Sequence, residues 1–162
     1  HLVMEHMDPR KDARSEVGRL TELGLTSKEE QATIKPAEID AFWASSLGKR
    51  FVKALEAGRA AREKQFILAL PVGEIPELRS LYETVDPNET VMIQGVIDLY
   101  FEEDDGLVLV DYKTDIVDKS ETLAERYRAQ LYYYRKALTA LTGKPVKESY
   151  IWSFRLRELI PV

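Results

Sequence analysis

The segment Leu107-Val108-Leu109-Val110-Asp111-Tyr112-Lys113 sets the narrowest limit on how this chain can fold. An aliphatic run of this kind reads as a buried or half-buried strand, so a sheet with other elements packed on it is required. Alternation along a strand places Asp111 and Lys113 on one face, beside Leu107 and Leu109. In apolar surroundings a charge is tolerated only when it is paired, hydrogen-bonded or metal-bound. The segment thus demands a fold class and a reason for its carboxylate. Asp111-Tyr112-Lys113 is also the only acidic-x-lysine triplet in the chain.

The flanking sequence specifies the sheet. Runs of strand composition cover residues 66–70, 91–101 and 107–113, with a last one at 149–154. Acidic residues followed by Gly106 separate the second and third runs and predict a tight turn, hence an antiparallel hairpin. Pro71, Pro76, Pro87 and Asn88 mark an irregular excursion before that hairpin. Residues 121–141, free of Gly and Pro and closed by Gly143 and Pro145, predict a long helix. Its stripe of Tyr127, Leu131, Tyr134, Leu138 and Leu141 is expected to pack on the sheet. Residues 1–60 carry apolar positions at helical spacing. Within them Gly24 reads as a C-cap, Ser27 with Glu30 as a capping box, and Pro36 as the first residue of a helix bearing Ile39, Phe42 and Trp43. The expected architecture is one α/β domain over residues 1–162: a mixed sheet flanked by helices at 61–162, preceded by a helical segment at 1–60.

Composition removes several classes. The chain has 162 residues, 44% of them hydrophobic, enough for one folded core and too many for a disordered segment. It has no cysteine, so disulfides, zinc fingers and cysteine-held iron–sulfur clusters are excluded, and any metal must sit on oxygen or imidazole. No apolar run is long enough to span a bilayer and no signal peptide is visible, so a cytoplasmic protein with no membrane partner is expected. The start at His1 and the strand-like Ile160-Pro161-Val162 read as a fragment of a longer polypeptide. A balance of 23 basic and 28 acidic residues leaves a net charge of −5, which repels polyanions and argues against a DNA-coating protein. An enzyme whose acids gather around divalent cations remains open.

Two strands deliver the candidate chemistry. Across the predicted hairpin from Asp111, the apolar run Val96-Ile97-Asp98-Leu99-Tyr100 carries a second carboxylate. Two carboxylates and a lysine on adjacent strands suit a divalent cation on oxygen ligands together with a water nucleophile. A structural ion pair at a strand end is the other reading. On the long helix, Gln130 lies on the same face as Tyr127 and Tyr134, and an amide in an apolar stripe needs a partner: a backbone group, or the site beneath the helix.

Taken in order, Gly95-Val96-Ile97-Asp98, Val110-Asp111-Tyr112-Lys113-Thr114-Asp115 and Tyr127-Arg128-Ala129-Gln130-Leu131-Tyr132-Tyr133-Tyr134 resemble the motifs of RecB-type nucleases of the PD-(D/E)xK superfamily. Within it the chain is most similar to the C-terminal nuclease domains of AddAB-type ATP-dependent helicase/deoxyribonucleases, heterodimers in which the first subunit carries the domain and the second is its partner. His1-Leu2-Val3-Met4-Glu5-His6 is similar to the histidine motif that precedes a helical segment in that family. The resemblance implies a restriction-endonuclease-like fold and a bacterial, cytoplasmic DNA exonuclease acting on single strands delivered by a parent helicase, in double-strand-break processing for recombinational repair. It implies that His1, Asp98, Asp111 and the backbone carbonyl of Tyr112 hold Mg²⁺ or Mn²⁺. Lys113 would orient the attacking water or stabilise developing charge, and an ammonium flanked by two carboxylates suits the latter better than service as a neutral base. Gln130 and Tyr134 match a Gln-x-x-x-Tyr element that supports the site or contacts DNA, and Tyr127 is the associated upstream position. Glu63 is placed like an acidic residue of relatives, with a surface salt bridge as its other reading.

The remaining features read as structural. His6 is expected on a helix surface, Asp115 at the start of a loop, and Trp43 and Trp152 in the core. Arg126, Arg128 and Arg135 are solvated helix charges or a phosphate-facing edge. Gly143-Lys144 lacks the rest of a phosphate loop, so no ATP site is expected in this fragment. A nuclease-like module without catalysis, used for DNA contact or subunit docking, is the alternative; Asp98, Asp111 and Lys113 argue against it.

Overall fold

The structure is a computed structural model and describes residues 1–81 and 83–162. Helices α1 (Leu2–His6), α2 (Ala13–Glu22), α3 (Lys28–Thr33), α4 (Pro36–Ala44) and α5 (Ser46–Glu56) come first. Strands β1 (Ala60–Pro71), β2 (Thr90–Glu103) and β3 (Gly106–Lys113) follow, then helix α6 (Ser120–Thr142) and strands β4 (Val146–Ser153) and β5 (Glu158–Pro161). The strands form one sheet in the order β1-β2-β3-β4-β5. Its pairs are antiparallel except β3 with β4, which α6 joins as a crossover. This is the expected mixed α/β sheet with helices and an N-terminal helical segment.

Local signals produce local structure where they were strongest. Ser27 and Glu30 cap α3 reciprocally, at 3.0 and 2.8 Å. Pro36 opens α4, and Gly143 closes α6 in the left-handed region. Asp104 and Asp105 form the turn between Glu103 and Gly106. Gly106 has φ +146°, and a Cβ there would lie 2.8 Å from the Pro145 carbonyl oxygen, so the start of β3 accepts no side chain.

Several boundaries differ from the sequence reading. Strand β1 begins at Ala60 because it pairs with β2 as far as Phe101; the apolar run at 66–70 marks only the part that faces α6. Strand β4 starts at Val146, and β5 adds an edge strand. The excursion after β1 contains two 3₁₀ turns, Val72–Glu74 and Pro76–Leu81, pinned by the buried side chains of Val72 and Ile75 and by the Val72 amide on Glu89 O at 2.8 Å. Leu141, expected in the α6 stripe, is 50% exposed near the solvated end of the helix, whereas Leu123 and Ala137 are buried instead.

The sheet separates two cores. Under α1–α5, Phe42, Phe51, Trp43 and Leu20 pack on Leu99, Phe101, Val108, Val110, Tyr112 and Trp152. Under α6, Leu123, Leu131 and Leu138 pack on Ile97, Leu107, Leu109, Ile151 and Phe66. Both Trp43 and Trp152 are buried, as expected. Strand β3 is buried on both faces from Gly106 to Tyr112, so its polar atoms must find partners inside the protein. Among the described residues no helix is long and apolar enough to cross a membrane.

Candidate metal centre

The β2–β3 ladder runs inward to Leu99 opposite Val110, and the next residues on the two strands are Asp98 and Asp111. There the Tyr112 amide donates to Asp98 Oδ2 at 2.6 Å, so a side chain stands in the ladder's place. The alternation of β2 also changes phase at this point. Ile93 and Ile97 pack toward α6, whereas Leu99 and Phe101 pack under α1–α5. Opposite, β1 changes phase at Glu63, which falls between the pairs Arg62–Leu99 and Lys64–Ile97. Glu63 has φ +49°, a conformation that costs a non-glycine residue roughly 1–2 kcal/mol. Backbone strain of this kind concentrates at functional sites.

A third element brings His1. Helix α1 is sunk into the first core through Val3 and Met4, and the neighbouring Met7 accepts from Trp43 Nε1 at 3.1 Å. Arg62 on β1 donates to the carbonyls of Met4 at 2.9 Å and Met7 at 2.8 Å, satisfying groups that the short helix leaves open at its end. So held, His1 places Nδ1 3.0 Å from Asp98 Oδ1 and its ring edge-on to Tyr112. His1, Glu63 and Asp98 each offer one ligand atom, and these atoms lie within 4.8 Å of one another. Glu63 Oε1 is buried with no hydrogen-bond partner, an orphan acceptor that a cation would satisfy. An imidazole and carboxylates form a donor set that fits a small divalent cation.

The other residues form an adjoining chain. Asp111 is buried, and its Oδ2 pairs with Lys113 Nζ at 2.6 Å. Lys113 also donates to Gln130 Oε1 at 3.0 Å, and Gln130 in turn donates to the Tyr134 hydroxyl at 2.7 Å. The ammonium lies 4.0 Å from the centre of the Tyr127 ring, a cation–π contact. Tyr127 donates to Asp115 at 2.9 Å, and Arg126 donates to the same carboxylate at 2.6 Å. Lys113 therefore sits in a cage of an acid, an amide and a ring.

Electrostatics join the two groups. Burial pushes the Asp111 carboxyl up to about 6, against the pull of Lys113 and with a contribution from the charge of Asp98. Glu63 is raised by burial first and by Asp98 second. His1 is raised above its ordinary value chiefly by its hydrogen bond to Asp98. These are the shifts of a crowded acidic site that lacks positive charge at its centre.

Among the residues singled out in the sequence, His1 and Asp98 share the ligand group, while Asp111 adjoins it with its carboxylate on Lys113. Tyr112 lies between them, its amide on Asp98 and its ring buried in the first core. Gln130, Tyr134 and Tyr127 converge on Lys113 from α6. Glu63 makes no ion pair with a lysine or arginine among the described residues; it joins the ligand group instead of a surface bridge. Asp115, read as the start of a loop, anchors Arg126 and Tyr127. His6 stays on the surface beside Glu5.

Comparison with known proteins bears on the whole chain. The family model for the PD-(D/E)XK nuclease superfamily matches residues 1–159. A protein of Clostridium botulinum (strain 657), named as a subunit of an ATP-dependent helicase/nuclease, is 38% identical over 167 residues, covering 100% of this chain and 13% of the relative. One of the same name from Acetivibrio thermocellus is 40% identical over 157 residues, covering 95% of this chain and 12% of the relative. The chain thus spans a small part of the length of these relatives.

Proposed function

The chain belongs to the PD-(D/E)XK nuclease superfamily, and from that premise we propose that it hydrolyses DNA phosphodiester bonds with a divalent cation as the nuclease domain of an ATP-dependent helicase/nuclease. The observation that carries this reading is the convergence of His1, Glu63, Asp98 and Asp111, from α1, β1, β2 and β3, beside the caged ammonium of Lys113. The names of the relatives support the rest of the assignment: one subunit of a larger assembly, a helicase motor on the same polypeptide, and a second subunit as partner. We assign the cation as Mg²⁺, with Mn²⁺ as a substitute, and the substrate as single strands delivered by the motor in bacterial cytoplasm during break processing. The mode is exonucleolytic.

Each side chain has a role set by its surroundings. His1, Asp98 and Glu63 would hold the cation, with Asp111 and the Tyr112 carbonyl at its edge. The cation supplies Lewis acidity, lowering the pKa of a water and neutralising charge on the scissile phosphate. Lys113 faces the charge that develops on the phosphate oxygens, and its direction is fixed before substrate arrives by Gln130 and the Tyr127 ring. Tyr134 orients Gln130 by accepting from its amide nitrogen. Because the domain carries a net charge of −5, most of the grip on DNA must come from other parts of the protein, and the fragment alone binds DNA weakly.

The test is Mg²⁺- or Mn²⁺-dependent cleavage of single-stranded DNA by the wild type and by Asp111→Ala. The variant is expected to be inactive, and Lys113→Ala to lose roughly 10²–10³ in rate, as for removal of a single transition-state donor. Equal cleavage by wild type and Asp111→Ala removes the mechanism.

A further inference from the structure

Next to the ligand group, on the side away from Lys113, lies a groove of about 420 Å³ that shares His1 with it. The groove is walled by Ile34 and Ile39 from the α3–α4 junction and by Ile116 and Phe154 from the segments after β3 and β4. Ile116 is 86% exposed, only three residues beyond Lys113. Single exposed aliphatic residues are ordinary on protein surfaces. This one stands at the mouth of an apolar groove that opens beside a cluster of carboxylates, where a solvated residue would suit the surroundings better. The rim carries Lys35 and Arg155. Lys35 is paired with Glu38 at 3.3 Å, whereas Arg155 is exposed and makes no ion pair among the described residues.

We propose that this groove is a subsite for one unpaired nucleotide adjoining the scissile phosphate, with its base against Ile116 and Phe154 and its phosphate on Arg155. The proposal rests on the nuclease reading above and gives it a substrate class. An apolar wall and a free guanidinium side by side match the two halves of a nucleotide, a base face and a phosphate. A base enters the groove only when it is out of the helical stack, so the subsite selects single strands over duplex. No hydrogen-bonding side chain dominates the apolar wall, so the subsite takes any base. Net repulsion between an acidic domain and DNA makes one free arginine beside the site the more consequential.

The test uses the full-length protein carrying this domain, with fluorescent oligothymidylates either intact or lacking a single base at successive positions. Binding is measured in EDTA, and kcat/KM is measured with Mn²⁺. In the wild type, removal of one base at one position is expected to lower kcat/KM and affinity roughly tenfold, the scale of a lost apolar contact in a pocket. Ile116→Ala should show a similar loss on the intact strand and no further loss on the abasic one. Arg155→Ala should weaken single-strand binding while leaving the base effect in place. Both positions are exposed, so folding is not at risk. If the wild type cleaves but is indifferent to the missing base at every position, or if Ile116→Ala loses as much as the wild type on base removal, the subsite is overturned and the nuclease assignment stands. If the wild type cleaves no DNA with either cation, both fall together.

Discussion

Replacing Asp111 by asparagine should make the metal-free protein more stable while it destroys activity. Asp111 is buried, with a side chain 2% exposed, and its carboxyl is pushed up from 3.8 to about 6 even with Lys113 beside it. At about 1.4 kcal/mol per unit, a shift of this size makes the ionised carboxylate about 3 kcal/mol more costly in the folded chain than in the unfolded one. The folded-state value is raised, so the corresponding stability is fully present below the unfolded value near 3.8 and is lost as pH climbs through about 6. Asparagine cannot ionise, and its carbonyl oxygen still accepts from Lys113. In EDTA, urea or thermal unfolding should therefore show wild type and Asp111→Asn nearly equal at about pH 4. At about pH 8 the variant should be ahead by roughly 2–3 kcal/mol, or roughly 6–10 °C in Tm for a domain of this size. Added Mg²⁺ or Mn²⁺ should narrow the gap by stabilising only the wild type. A gap that is independent of pH, or a variant less stable at pH 8, would refute the reasoning, because ionised Asp111 would then be a net stabilising partner of Lys113.

Other perturbations reach the site from further away. A Cβ on Gly95 would lie 2.9 Å from the Phe66 ring and 3.3 Å from Tyr134, so Gly95→Ala should push Tyr134 off Gln130. The expected result is a stability loss of about 1–3 kcal/mol by denaturant titration and a fall in kcat larger than that in Asp98-dependent cation binding. Arg62→Ala removes the donor to Met4 and Met7 and should cost about 1.5–3 kcal/mol. It should also weaken Mn²⁺ binding by calorimetry, because α1 no longer presents His1; unchanged Mn²⁺ affinity would show that Arg62 is only structural. Cation binding should weaken steadily as pH is lowered from about 8 to 5, since His1, Glu63 and Asp111 all hold protons more tightly than usual and the cation must displace them. A flat affinity over that range would argue against these three groups as the site.

Much of this molecule is written in short-range patterns. The aliphatic run at 107–110, the acidic turn before Gly106 and the Gly- and Pro-free stretch at 121–141 dictate a covered sheet, a hairpin and a crossover helix, because each is decided by residues a few positions apart. The same locality places Asp111 and Lys113 on one face of β3 and Gln130 on the same face of α6 as Tyr134, and the folded chain brings Lys113 and Gln130 together. Glu63 is a different case. Its position against Asp98 depends on the β1–β2 register, and the long excursion between those strands gives no turn from which to count it. The change of phase that turns both carboxylates toward His1 arises from a strained backbone at one residue, which no pattern of hydrophobicity records. His1 itself is brought in by a helix whose placement is set by Arg62 and Trp43, residues far along the chain from it. Which acids a strand carries is a property of the chain; which of them share a cation is settled only when separate elements are packed at fixed distances.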